Sequence, residues 1–280
     1  GAVDFYRACK AEGIQPIIGC EVYVAPRGRT RFQKVHEFDA ESRHLVLLCR
    51  DEEGYRNLSY MVSQAFLEGF YIKPRIDMDL LREHCGGLIA MSACLAGEIP
   101  RLLMADEYEK AREAALEMRQ LFGEDGYYLE MQDHGIPVQQ KVNAGILRLH
   151  EETGIPLVAT NDAHYIRKED WETQDVLMCI QMGKTLDDPG RMKFQTQEFY
   201  VKSEEEMAAL FPRHPEALEN TAKIAELCNV EFEFGKYHLP NFKLPEGWTD
   251  ADAYFEKLCL DGFARRYPDG GEDKLKQLHY

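Results

Sequence analysis

The sequence predicts an α/β domain whose strands form a closed or nearly closed parallel barrel. Three observations carry this reading. Short apolar runs alternate with amphipathic helical segments, the pattern of βα units on a parallel sheet. Several of those runs end in a carboxylate, an imidazole or a thiol, and barrels of this type carry their chemistry at strand ends. No Gly-x-Gly-x-x-Gly follows the first apolar run, which lowers the alternative of an open doubly wound sheet.

Residues 5–12 read as a helix closed by Gly13, and residues 17–24 and 45–49 as strands. A helix is expected over 55–66, where Leu58, Met61, Val62 and Ala65 recur at helical spacing. Residues 87–93 form a strand, 106–122 an amphipathic helix stopped by Gly123, and 127–131 a strand. Residues 137–152 follow as a helix opened by Pro137, then a strand over 155–160. Beyond about residue 200 the character becomes helical, with helices at 203–210, where Ser203 caps and Glu206 sits three residues on, and at 215–229. A Pro-punctuated stretch from Tyr237 to Trp248 reads as linker before a helix at 249–266. The expected division is therefore 1–240 and 241–280.

Bulk properties narrow the function. No apolar stretch approaches the ~20 residues that span a bilayer. The chain opens Gly1-Ala-Val-Asp-Phe-Tyr-Arg7, without an initiator Met or signal pattern and in the manner of a helix interior, so it reads as cut on its N-terminal side. Eight cysteines without a Cys-x-x-Cys pair disfavour a zinc ribbon and fit a reduced, cytoplasmic setting. The net charge of −16 argues against broad contact with nucleic acid phosphates. That charge is uneven: residues 1–100 hold 12 bases and 14 acids, and residues 101–280 hold 21 and 35. A phosphate-facing surface therefore belongs in the first part, where Arg27, Arg29, Arg31 and Lys34 share a loop, although a solvated loop is the ordinary reading of such a cluster.

The candidate ligands are mixed in type. Asp162 and His164 form an Asp-x-His pair after the apolar run that begins at Ile155, and a spacing of two on extended chain aims both at one point. Glu21 lies inside an apolar run, where a carboxylate must be paired or metal-bound; an interior ion pair is the alternative. His44 opens a strand and Cys94 follows one, each with an ordinary structural reading as satisfied histidine or buried thiol. Glu130 lies in a strand, and His134 reaches the same mouth from a loop. The remaining histidines (36, 84, 150, 214, 238 and 279) read as surface or structural. Jointly, a set of O, N and S donors at strand ends suits zinc or a zinc–manganese pair, the apparatus for activating water against a phosphoester.

Five ordered motifs carry a resemblance: Gly19-Cys-Glu-Val-Tyr-Val-Ala-Pro26, His44-Leu-Val-Leu-Leu48, Phe70-Tyr-Ile-Lys-Pro-Arg-Ile-Asp77, Ser92-Ala-Cys-Leu-Ala-Gly97 and Thr160-Asn-Asp-Ala-His-Tyr165. The chain resembles the PHP (polymerase and histidinol phosphatase) domain of the bacterial DNA polymerase III alpha subunits, the replicative C-family polymerases. Glu198-Phe-Tyr-Val-Lys202 and Leu239-Pro-Asn-Phe242 look like their passage from PHP domain towards palm.

The resemblance implies a distorted (β/α)7 TIM-like barrel of the PHP type, incomplete at its N-terminus, with a helical C-terminal extension leading into the palm region. It implies a divalent metal cluster, zinc first and manganese or iron as alternatives, held by Glu21, His44, Cys94, Asp162 and His164. Cys94 stands where free-standing PHP phosphatases carry histidine. Outside the resemblance, Glu130 and His134 are candidate supporting residues, and Lys73 and Arg75 are candidate phosphate contacts for which solvated loop residues are the ordinary reading. One departure is that the family's first ligands, a His-x-His motif and an Asp-His pair, precede the segment matching residues 1–13, and neither motif occurs here; about half the metal site is expected to be missing. The polymerase carboxylates and their magnesium lie beyond residue 280. Three functions compete: a metal-dependent 3′→5′ exonuclease within the intact replicative polymerase, a metal-braced structural domain of it, or a free-standing histidinol-phosphatase-like enzyme. The partners implied are DNA, the sliding clamp and the proofreading subunit, in the bacterial cytoplasm and without a membrane.

Overall fold

The computed structural model describes residues 1–237 and 239–279, so His238 lies outside the described residues. The chain divides into two units, Gly1–Phe232 and Glu233–Tyr280. The first contains α1 (Ala2–Ala11), β1 (Gly19–Val24), α2 (His36–Asp39), β2 (Arg43–Cys49), α3 (Glu52–Leu67), β3 (Phe70–Tyr71), β4 (Lys73–Ile76) and α4 (Met78–Glu83). It continues with β5 (Leu88–Met91), α5 (Glu98–Met104), α6 (Tyr108–Phe122), β6 (Tyr127–Met131), α7 (Pro137–Thr153) and β7 (Leu157–Ala159). A 3-10 turn at Lys168–Asp170 leads into α8 (Trp171–Met182), followed by α9 (Glu204–Leu210) and α10 (Pro215–Leu227). The second unit holds α11 (Ala251–Arg266) and α12 (Glu272–Leu278). No described helix is long and apolar enough to cross a membrane.

The fold is α/β as expected, but the sheet is neither closed nor wholly parallel. Its order is β3-β4-β1-β2-β5-β6-β7. Strand β2 runs antiparallel to both β1 and β5, whereas β4–β1, β5–β6 and β6–β7 pair in parallel. The reversal has a local cause. A parallel return needs a crossover packed on the sheet, yet the chain between β1 and β2 forms only the four-residue α2. Within this segment Arg29 pairs with Asp39, and Arg31 ties it to Asp77 just after β4.

Alternation along the strands gives the sheet two covered faces. Val22, Val24, Leu45, Leu47, Ala90 and Leu129 join the main core with Leu58 and Met61 of α3, Ala114 of α6 and Ile146 of α7. Val46, Leu48, Ile89, Met91, Tyr128 and Val158 point the other way, packing with Ile224 of α10 and Cys228. Asn220 of α10 donates to the Leu157 carbonyl at 2.7 Å, anchoring that helix to β7. Helix α3 starts where the Asp51 side chain accepts from the Gly54 amide at 3.0 Å, satisfying one of the free amides of its first turn. Each core side chain such as Met61, fully shielded from solvent, stabilises the fold by roughly 1.5–3 kcal/mol.

Candidate metal centre

Register places the first donors. Tyr23 faces His44 and Glu21 faces Val46 across the β1–β2 ladder, so Glu21, Tyr23 and His44 share one face. His44 begins its strand rather than ending it. Because β2 is reversed, that beginning lies on the rim where β1 and β5 end. The segment after β5 then folds back. Ala93 takes φ +63°, Gly97 donates to the Cys94 carbonyl at 2.8 Å, and the His44 amide donates to the Ala96 carbonyl at 3.1 Å. Gly97 is required there, since a Cβ would fall 2.1 Å from the Ser92 carbonyl oxygen.

The outcome is a compact trio. Glu21 Oε1 lies 2.9 Å from His44 Nδ1, and Cys94 Sγ lies 3.6 Å from the same nitrogen. One donor atom from each residue lies within 4.8 Å of the other two. Glu21 is 37 % exposed, not buried as its apolar run suggests, because it belongs to the strand's outward set while Val22 and Val24 fill the core. Its pairing with His44 is the ion-pair alternative and is equally compatible with shared ligation.

Asp162 and His164 lie outside this trio. Strand β7 stops at Ala159, and Asp162 takes φ +43°, so the pair sits on a turn rather than on extended chain. Asp is among the few residues that visit this region readily, through local hydrogen bonding of its short side chain. The two side chains still approach to 3.9 Å. His164 Nδ1–H donates to the Asp162 carbonyl at 2.7 Å, which leaves Nε2 with its lone pair, the tautomer of a metal-binding histidine. Burial raises the Asp162 pKa; His164 and, more weakly, His134 and His44 oppose it, while Glu21 adds to it. The Asp162 carboxyl thus shares an electrostatic environment with the trio.

Glu130 and His134 are both buried. Glu130 projects from β6 at 5 % exposure, and its Oε1 accepts from Gln132 at 2.9 Å and from the Thr160 hydroxyl. Its Oε2 is buried with no hydrogen-bond partner among the described residues. Burial first, then Asp162, raises the Glu130 pKa against hydrogen bonds from Thr160 and Gln132. His134 is 1 % exposed and both its nitrogens are used: Gln139 donates to Nδ1 and Nε2–H donates to the Asn161 carbonyl, each at 2.7 Å. His134 therefore orients the Asn161–Asp162 turn and has no lone pair left for a cation. Its ring stacks on Phe199 at 3.9 Å, and burial lowers its pKa.

The expected phosphate contacts are placed otherwise. Arg75 is fully buried, donating to the carbonyls of Gly69, Asp39, Arg31 and Gln33 at 2.7–3.3 Å, and so ties the 31–39 segment to the sheet. Arg27 pairs with Glu98 and Glu117, Arg29 with Asp39, and Arg31 with Glu68 and Asp77. Three of the four bases in the 27–34 loop thus have their charge answered within the protein. Lys73 is exposed, with Nζ 5.4 Å from the Tyr23 ring centroid.

Gln139, Ser92 and Asn161 were not singled out by the sequence. Ser92 Oγ accepts from the Glu130 amide at 2.8 Å, and Asn161 Nδ2 donates to the Glu198 and Tyr200 carbonyls at 2.9 and 2.6 Å. Both lie inside motifs already marked by Cys94 and Asp162, so proximity to a candidate ligand was the available signal.

The donor set fits a divalent cation. Burial holds the Cys94 thiol up at about 12, with Asp162, Glu21 and Glu130 adding repulsion and the Ala96 amide opposing. Desolvated acids crowded together, one with an unpartnered oxygen, carry an electrostatic cost that a bound cation removes. Such donors gathered on one rim of an α/β sheet suit a metal-binding domain, and residues 1–134 match the PHP domain family. The whole chain is homologous to the DNA polymerase III alpha subunits of bacteria. It is 45% identical over 280 residues to DNA polymerase III subunit alpha of Treponema pallidum, covering 100% of this chain and 24% of the relative. Identity to the Thermus aquaticus subunit alpha is 46% over 275 residues (96% of this chain, 22% of the relative), and to the Borreliella burgdorferi subunit alpha 44% over 268 (95% and 23%). The chain thus spans about a quarter of the length of the relatives it matches.

Proposed function

We propose that this chain is the PHP domain of a replicative DNA polymerase and that its rim donors form a divalent-metal centre which, in the intact protein, cleaves single-stranded DNA from the 3′ end. The observation that carries the reading is the convergence of Glu21, His44 and Cys94, with the buried Glu130, its Oε2 unpartnered among the described residues, acting electrostatically on Cys94. Glu21, His44, Cys94, Asp162 and His164 are the residues that would hold the metal. Mixed carboxylate, imidazole and thiolate donors favour zinc, with manganese or iron as alternatives. When bound, such a cation supplies Lewis-acid polarisation of a phosphoryl oxygen and acidifies water. The protein's own groups divide the remaining work. His134 and Asn161 hold the segment that carries Asp162, and buried Glu130 keeps an acceptor oxygen that no other described group engages. Polymerisation, with its magnesium, and contacts with the sliding clamp and proofreading subunit are assigned to the intact polymerase. Eight free cysteines support a reducing, cytoplasmic setting.

The test is digestion of 5′-labelled single-stranded DNA by the full-length polypeptide supplied with zinc or manganese. Asp162→Ala is expected to lower the rate at least a hundredfold. An unchanged rate in that variant, or no digestion by the parent, refutes the nuclease reading. In the second case, a chelator-induced fall in melting temperature identifies the centre as a structural brace.

A further inference from the structure

Beside His164 lies a surface cavity of about 380 Å³, walled by Tyr165, Trp171 and Phe194 and bordered by Lys193, Gln195 and Gln197. We propose that it receives a base of single-stranded DNA, stacked on these rings while the adjoining phosphate lies at the metal centre. The inference rests on the nuclease reading above and extends it to how the substrate is held.

Several observations point to this occupant. The volume lies in the range of small-ligand sites, roughly 300–1,000 Å³. Aromatic walls attract bases of any sequence, because every base offers a π-face. Phe194 belongs both to the cavity and to the candidate centre, since its ring lies 4.8 Å from that of His164 and 4.4 Å from that of Phe199. The base site and the donors therefore share a wall. The Gln195 and Gln197 side-chain amides make no hydrogen bond among the described residues and are free to meet base edges. The charge is also suitable. Asp175 on the wall is answered by Arg191 through two contacts of 2.5 and 2.6 Å, and Lys193 makes no ion pair among the described residues. One acid against two bases leaves this lining positive within a chain of net charge −16. An apolar peptide side chain would use the rings but leave the amides and the ammonium group unanswered.

Photocrosslinking of the full-length polypeptide tests the proposal, with an oligothymidylate carrying 5-iodouracil at its 3′ end and EDTA present to stop hydrolysis. Peptide mapping is expected to place the adduct within residues 165–197, with the yield falling at least fivefold in Trp171→Ala and kept in Trp171→Phe, which preserves packing. Adducts confined to other segments, or a yield unchanged in Trp171→Ala, overturn it. Restoring zinc or manganese separates the two readings. An adduct at this site without digestion removes the nuclease reading and leaves the base site standing, whereas digestion without an adduct here removes the base site alone.

Discussion

The Asp39 carboxylate is fully buried and accepts from Arg29 at 2.6 and 2.9 Å and from the Val35 amide at 2.8 Å, with Arg75 at 3.9 Å. The Arg29 guanidinium, chiefly, holds its pKa down to about 2. Replacing it by Ala leaves the Arg75 guanidinium buried without its counter-charge, and urea unfolding is expected to show a loss of about 3–5 kcal/mol. Because the folded-state pKa is depressed, this contribution is complete above the ordinary carboxylate value of 3.8 and disappears as pH falls through about 2. Stability of the parent should therefore drop more steeply across that window than stability of Asp39→Asn. His134 offers a second prediction at this scale. His134→Ala removes the donor to the Asn161 carbonyl, and competition with a chelator should show zinc bound about 10–100-fold more weakly. Much of the candidate site was legible because Glu21, His44 and Cys94 each stand out against apolar neighbours. Arg75 was misread because a fully buried guanidinium and a solvated one look identical in sequence; only the four carbonyls around it tell them apart.

Most long periodic elements followed from sequence to within a few residues, although the twelve-residue α8 did not. Helix α3 extends the expected 55–66 at both ends, and β6 falls at the expected 127–131. The short ones did not. The β3–β4 hairpin turns on Ile72 at φ +63°, and α4 is six residues long, started by Asp77 accepting from the Leu80 amide. Elements of this length complete too few periods for hydrophobic spacing to register. Close approaches between elements were equally invisible. Gly54 in the first turn of α3 sits so near the turn before β5 that a Cβ would lie 1.8 Å from the Gly87 carbonyl oxygen. Gly54→Ala should consequently cost about 1–3 kcal/mol through overpacking. Thermal denaturation checks this against Gly1→Ala, where no atom lies within 4 Å and no change is expected.

For the whole molecule, alternation of strands and helices correctly gave an α/β architecture but overstated its regularity. The expected barrel assumed that every strand ran the same way, and nothing in residues 43–49 records their direction. Direction is set by the connection, and the 25–42 segment carries too little helix to cross the sheet. If the rim donors hold a cation in the intact protein, saturating zinc at about a hundred times its dissociation constant should stabilise the fold by about 2.7 kcal/mol. Calorimetry of the full-length polypeptide with and without chelator measures this directly, and equal melting temperatures would leave the donors without a structural cation. The first unit ends at Phe232, whose ring packs edge-on against Tyr6 and Tyr55 at 4.9 and 5.0 Å. Phe232→Ala is expected to cost about 3–5 kcal/mol at most, less to the extent that the half-buried site collapses.

Strand β2 is gripped from both sides, Leu47 opposite Cys20 on one flank and Ala90 on the other. A slip of a single position would exchange inward and outward residues along its full length. It would also bring Arg43 to the place of His44, setting a permanent cation where an imidazole nitrogen now stands. Two ladders of backbone hydrogen bonds thereby act as a vernier, and the packing of an interior far from the rim decides which side chain greets an incoming ion.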